Sequence, residues 1–526
     1  MINFFNKRFF ILFFFPIFLG GLSVFSFQPF NFFFINFFSL PALFWLILYV
    51  KKKSKSVYRK KPFIKNLFFL GTSYGFGFFF FGLYWIIYAM TFDDSFKIFI
   101  PFGLILIPLF LSLFLSLPII LSGYLINEKI SSIFLVSLLF AFADFMRNLT
   151  LTGFPWNLWI YSFSSNVENL QLIDNLGFFS LNLIIITLFF FPAILFFKNP
   201  NKYFILSILI TLFFSNYFYG SYKINNKNIS ISNTNKKINF KIVTAGFQLS
   251  EFKDPIDVAS RLIRLSEPKK KQKTIFVWPE GTFMSENFLN IKSNEQIRLL
   301  FKKNFSKEHL IILGANTVKK YNQEEKYFNS MLLVNNNLDI IAQYDKKKLV
   351  PFGEFLPLEN FLNKIGMKKI TPGYSSFSSG SGKSILELKF KENNLKLLPL
   401  ICYEIIFPNL IKVKDNVDRY NFIINISEDA WFGDSIGPHQ HFAKAIFRSI
   451  ESRKFVIRSA NKGKSVFVDP NGKVIKSLEP FESGNIELEL PLIESTEKQN
   501  KNSLIFYLLL ITYVFIFFVL RKFKIK

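Results

Sequence analysis

Apolar residues fall in blocks along this chain. Seven long apolar runs lie before residue 220, at roughly 9–27, 30–50, 66–90, 98–122, 130–146, 176–197 and 203–219, and an eighth lies at 504–520. Each approaches the ~20 residues with which a helix crosses a hydrocarbon layer. Between residues 220 and 503 the pattern changes. Short β-rich runs at 241–248, 274–278, 310–314, 330–335, 340–344, 396–401, 421–426, 455–459, 465–469 and 485–490 predict strands. Asp254-Pro255 opens a helix through Leu265, since Asp caps free N–H groups and Pro fits the first helical position. A second helical pattern covers about 440–453. Adjacent strands with few helices between them predict an α+β layered sandwich. The expected organisation is a membrane domain of seven spans at 1–220, a folded domain at 221–503, and a closing span with a basic tail at 504–526.

Charge adds an orientation. With the N-terminus in the cytoplasm, the inside segments carry seventeen Lys and Arg residues, and the short outside segments carry only Lys97 and Arg147. Positive residues stay inside. That places both termini in the cytoplasm and residues 221–503 on the other side of the membrane. The first run lacks a small-x-small cleavage site and reads as an anchor rather than a removable signal. Residues 221–503 hold 44 basic and 30 acidic residues, a balance that suits an anionic lipid surface as well as it suits lysine-rich codon usage. The expected topology excludes nucleic acid as a partner. An apolar content of 51% disfavours disorder.

Candidate chemistry is confined to few residues. Cys402 is the only cysteine, so no internal disulfide or cysteine-rich zinc site can form. His309, His439 and His441 are the only histidines, and a metal site is not expected. Ser381-Gly-Lys-Ser384 lacks the first glycine of a phosphate loop, because Phe377 stands there. Three polar residues follow predicted strands: Glu280 after Thr-Ile-Phe-Val-Trp-Pro, Lys346 after Ile-Ile-Ala-Gln-Tyr-Asp, and Cys402 after Leu-Leu-Pro-Leu-Ile. Together they supply a base, a cation and a nucleophile. Taken singly, each has a plainer reading: a buried thiol, a loop carboxylate, a solvated lysine. Spacing leaves open which of Lys346, Lys347 and Lys348 matters.

These residues and their settings resemble a known family. Glu280, Lys346 and Cys402 occur in the order of the Glu-Lys-Cys triad of the nitrilase superfamily. The whole chain resembles the bacterial apolipoprotein N-acyltransferases, in which a nitrilase-like αββα sandwich domain lies between membrane spans. The matching pieces are Trp278-Pro-Glu280, Tyr344-Asp-Lys346-Lys-Lys-Leu-Val-Pro-Phe-Gly-Glu354, Cys402-Tyr403-Glu404, Asp429-Ala-Trp431-Phe-Gly433, Gly437-Pro-His-Gln-His441 and, in the membrane half, Gly153-Phe-Pro-Trp156 with Tyr161-Ser162. Two positions depart from the pattern: Glu428 stands where the family has asparagine, and Phe252 where a tryptophan is expected.

The resemblance implies two half-reactions without a cofactor. Cys402 would take an acyl chain from a phospholipid as a thioester. The α-amino group of a diacylglyceryl-modified cysteine at an apolipoprotein's N-terminus would then accept it. Glu280 would be the general base and Lys346 the cation that favours thiolate and oxyanion. Glu354 would be a second essential carboxylate, with Tyr403, Glu404, Trp278, Trp431 and Phe252 supporting catalysis or binding substrate. The location implied is the bacterial inner membrane, with a periplasmic catalytic domain. A monomer is the default. Trp156 and Trp159 suit a membrane interface. The Gly- and Ser-rich segment 372–383 reads equally as a mobile arm over the entrance or a plain linker. Two rivals remain at this stage. One is a membrane-anchored amidase or nitrilase using the same triad with water; the other is a non-enzymatic membrane protein, for which Asp144 is the main intramembrane charge.

Overall fold

The apolar runs form helices, as a chain in hydrocarbon must satisfy its own backbone N–H and C=O groups. A computed structural model describes residues 7–232, 236–249, 254–321, 324–357, 359, 376–382, 384–390, 392–412, 420–493 and 502–522. Eight helical stretches among them are long and apolar enough to cross a membrane: Lys7–Val24, Phe33–Lys53, Phe63–Thr91, Ile100–Leu125, Ile130–Leu149, Phe178–Phe196, Lys202–Asn226 and Leu504–Lys522. All eight runs expected from the sequence are therefore helical. The chain divides into two compact units. One comprises Met1–Ile87, Lys97–Ile224 and Asn500–Lys526; the other comprises Asn225–Gln499 together with the short segment Tyr88–Phe96.

Small residues let the spans of the first unit pack backbone to backbone. A Cβ on Gly77 would strike the Ile17 carbonyl, and one on Gly20 would strike the Tyr74 carbonyl. One buried polar cluster inside this unit is closely paired. Arg147 Nη2 donates to Asp144 Oδ1 at 3.0 Å and to the Asn157 carbonyl at 3.1 Å, while Asn182 Nδ2 donates to Asp144 Oδ2 at 2.9 Å. Asp144 is thus a buried structural partner. Trp156 and Trp159 are also buried rather than exposed at an interface: Trp156 packs on Trp85 and Phe154, and Trp159 on Phe78.

The second unit is built on two sheets. The first contains β1 (Lys237–Thr244), β2 (Thr274–Val277), β3 (Phe283–Asn287), β4 (His309–Tyr321), β5 (Glu324–Val334) and β6 (Ile340–Asp345). The second contains β7 (Leu386–Phe390), β8 (Asn393–Ile401), β9 (Phe422–Glu428), β10 (Phe455–Asn461), β11 (Ser465–Val468) and β12 (Val474–Leu478). A last strand, β13 (Gly484–Pro491), returns to the first sheet beside β1. The orders are β13-β1-β2-β4-β5-β6, with β3 against β4, and β12-β11-β10-β9-β8-β7. Within each sheet the central strands run parallel, β1/β2/β4 in one and β8/β9/β10 in the other.

Alternation along the strands makes the layers. Ile275, Val277, Ile312, Leu397, Ile401, Ile424 and Ile457 share the core between the sheets. Phe276, Trp278, Ile311 and Leu313 point the other way, onto helices Pro255–Ser266 and Glu295–Asn304. Asp254 caps the first of these as expected, accepting from the Ile256 N–H at 2.8 Å. Helix Gly437–Ser452 packs on β10 of the second sheet. The result is the αββα arrangement.

Candidate active site

Parallel strands deliver side chains to one edge of a sheet, and the polar residues read from the sequence lie at such edges. Glu280 follows β2, Lys346 follows β6 and Cys402 follows β8. Two cross-links between the sheets bring these ends together. The Glu404 carboxylate accepts the Tyr344 hydroxyl at 2.8 Å, the Lys347 and Lys348 N–H groups at 2.8 and 3.1 Å, and the Ile401 N–H at 2.8 Å. It thereby fastens the end of β6 to the end of β8. On the other flank the Glu428 N–H, at the end of β9, donates to Glu280 Oε2 at 2.9 Å.

Lys346 sits at the centre, 1% exposed. Its Nζ donates to Glu354 Oε1 at 3.0 Å and to Glu280 Oε1 at 3.3 Å. Burial opposes its charge, but the two carboxylates outweigh that and hold its pKa above the ordinary lysine value. Lys347 and Lys348 are directed elsewhere: Lys347 Nζ donates to Ser384 Oγ at 2.7 Å and Lys348 Nζ lies over the Phe407 ring. The geometry thus resolves which of the three lysines joins the carboxylates. Glu354 is delivered by a turn, in which its N–H donates to the Val350 carbonyl at 2.9 Å and its Oε2 accepts the Val350 N–H at 2.8 Å.

Cys402 is buried and has a φ of 46°. A non-glycine residue in that left-handed region bears on the order of 1–3 kcal/mol of strain, which the surroundings must enforce. Burial, and then the negative charge of Glu280, push the Cys402 thiol well above the usual thiol range, while Lys346 pulls it down. Glu280 and Lys346 thus act on the thiol in opposite directions, and both lie within electrostatic reach of it. Tyr403 follows it, buried, its ring edge-on to Phe407.

A further residue of the cluster is not evident from the sequence. Asn329, on β5, donates through Nδ2 to both Glu280 Oε1 and Glu354 Oε1 at 2.8 Å, and its carbonyl accepts the Lys346 N–H at 2.9 Å. It ties all three charged groups together, yet it lies in an ordinary-looking strand far from them in sequence. Its only signal is an amide within a run that is otherwise strand core.

Other expectations are met differently. Trp278 is a core residue rather than a substrate contact: it is 0% exposed, its Nε1 donates to Ser266 Oγ at 3.0 Å, and its ring packs on Phe301 and Phe305. It faces the helices because strand alternation turns it away from the sheet–sheet interior. Trp431 is half-buried, edge-on to Phe92 at 5.3 Å. Phe252 lies outside the described residues. So do residues 372–375 and 383 of the Gly- and Ser-rich segment. The part at 376–382 is strapped down. Phe377 N–H donates to the Glu354 carbonyl, Ser378 N–H to that of Tyr327, and Gly380 N–H to that of Lys346, each at 2.8–2.9 Å. Glu428 is buried, accepting from Asn461 Nδ2 and the Ala430 N–H, and burial raises its pKa well above the carboxylate range.

The comparisons with known proteins cover both units. Residues 268–498 match the carbon-nitrogen hydrolase family model, and residues 19–191 match that of the apolipoprotein N-acyltransferase N-terminal domain. The apolipoprotein N-acyltransferase of Rickettsia typhi is 31% identical over 481 residues, covering 90% of each chain. That of Rickettsia prowazekii is 30% identical over the same shares, and that of Allorhizobium ampelinum is 29% identical over 87% of this chain and 86% of its own. With both domain models matched in order and relatives aligned along nine-tenths of its length, this chain belongs to the apolipoprotein N-acyltransferase family of multi-pass membrane enzymes.

Proposed function

We propose that this enzyme moves an acyl chain from a phospholipid to the N-terminal amine of a diacylglyceryl-modified apolipoprotein, through a thioester on Cys402. The observation that carries this reading is the buried Glu280–Lys346–Glu354 cluster beside the chain's only thiol. In the first half-reaction Glu280 takes the thiol proton as Sγ attacks the ester carbonyl. Lys346 stabilises the oxyanion. Collapse breaks the ester C–O bond, Glu280 returns the proton to the departing oxygen, and lysophospholipid leaves. In the second, the lipoprotein amine attacks the thioester and gives its proton to Glu280, and as the C–S bond breaks Glu280 passes that proton to the departing sulfur, which restores the thiol. Glu354, Asn329 and Glu404 are positioning residues in this scheme.

The lysine and arginine bias supports an orientation with both termini cytoplasmic and the catalytic unit on the far side of the bacterial inner membrane. The spans also suit the substrates, since drawing an acyl chain out of a bilayer costs ~0.8 kcal/mol per CH₂. The test is the intact mass of detergent-purified protein after incubation with phospholipid. The wild type should gain a fatty-acyl increment that a diacylglyceryl peptide removes, and Cys402→Ala should gain none. An adduct removed by water alone, with no acylated peptide, would overturn acyl transfer in favour of a lipid hydrolase.

A further inference from the structure

The strained backbone at Cys402 is gripped on both sides. Before it, Glu404 Oε2 accepts the Ile401 N–H at 2.8 Å. After it, His441 Nε2 lies 3.2 Å from the Cys402 carbonyl oxygen. A carbonyl only accepts, so that nitrogen carries a hydrogen whichever form the ring takes.

His441 is fully enclosed and aimed by its neighbours. Its Nδ1 faces Asp429 Oδ1 at 2.9 Å and Arg458 Nη2 at 3.2 Å. Asp429 also accepts from Ser427 Oγ at 2.6 Å and, through Oδ2, from Arg458 Nη2 at 2.6 Å. Arg458 Nη1 completes the chain by donating to Asn425 Oδ1. The edge of the Phe432 ring, 5.3 Å away, closes the side of the imidazole. A Cβ on Gly463 would strike the Asp429 carboxylate, so the backbone leaves room for this arrangement. Asp429, His441 and Arg458 are all 0% exposed, which is costly for charged groups and calls for a role. None of them takes part in the proton and acyl transfers.

We infer that Asp429, His441 and Arg458 form a brace for the nucleophile, in which His441 is a positioning residue. Its Nε2–H fixes the Cys402 carbonyl, holds the residue in its left-handed conformation, and so aims Sγ toward Lys346 and the incoming carbonyl. Arg458 and Asp429 set the plane of the ring.

This rests on Cys402 being the nucleophile, and alkylation tests the brace without calling on acyl transfer. Cys402 is the only thiol in the chain, so iodoacetamide uptake reports on it alone. Glutamine at position 441 can place its amide where the ring's Nε2 stands; asparagine reproduces only the Nδ1 end. His441→Gln should alkylate within about threefold of wild type, whereas His441→Asn should slow by about tenfold or more as the strain is released. Turnover should follow the same order, with KM for phospholipid unchanged. Retained reactivity in the asparagine variant, or equal loss in both, would overturn the brace. Should the asparagine variant fail to fold, ¹⁵N-histidine spectra of the wild type decide. An Nε2–H resonance of His441 that shifts when Cys402 is alkylated supports the brace, and an Nε2 without hydrogen overturns it. Variants that follow this alkylation pattern, beside a wild type that never forms an acyl adduct, would instead sink the acyl-transfer reading.

Discussion

The same carboxylate is asked to help and to hinder the nucleophile. Glu280 takes the thiol proton in the proposed reaction, but after burial its charge is what most raises the resting thiol. Glu280→Gln should therefore abolish acyl transfer while speeding alkylation of Cys402 near neutral pH. Lys346→Met should slow both. Parallel changes in the two assays for Glu280→Gln would remove it as the base. A second residue gives a pH signature. Burial lowers Lys454 from 10.5 to about 8, with its Nζ donating to the Ile493 carbonyl at 3.1 Å. Below pH ~8 both folded and unfolded chains carry the charge, and the full cost of burying it, on the order of 3 kcal/mol, is present. Between that pH and ~10.5 only the unfolded chain binds the proton, so folding gains stability as the pH rises. Lys454→Met should melt above wild type near neutral pH, with the difference closing across that window. Legibility at this scale followed locality. Lys346 and Glu354 lie eight residues apart and entered together through the motif that carries the family resemblance, whereas Asn329 joins them only once β5 and β6 have aligned.

At the scale of elements, strands with two buried faces were legible because their apolar residues run together. Three strands were not: Phe283–Asn287, Leu386–Phe390 and Val474–Leu478. The last two are edge strands and the first pairs with β4 alone. Each is only five residues long and interrupts its apolar residues with charge, so its sequence resembles a loop. The spans show the opposite case, where the pattern reveals the helix but not its neighbours. Only the structure shows that Gly20 and Gly77 mark the contact between helices Phe15–Val24 and Phe63–Leu83. Gly77→Val should force those backbones apart, lowering the melting temperature in detergent. Substituting an outward apolar residue of the same helix, such as Phe81→Val, should have a much smaller effect.

Over the whole molecule, composition places a boundary near residue 220. The structure gives Tyr88–Phe96, the end of the Phe63–Thr91 helical stretch and the start of the link that follows it, to the second unit. There the Phe92 ring meets Trp431, and the Tyr88 ring covers Gly433 so closely that a Cβ would not fit. A fragment cut as 225–499 should thus lack part of its own surface. It should melt below the same unit in the intact chain, and Trp431 should fluoresce as a more exposed indole; an unchanged spectrum and melting point would contradict the assignment. The same feature sets an order in time. Tyr88–Phe96 leaves the ribosome early, together with the first apolar helices, and its partners emerge hundreds of residues later. The second unit is therefore completed only when its late residues fold onto a segment made with the first helices, so its assembly follows theirs in the order of synthesis.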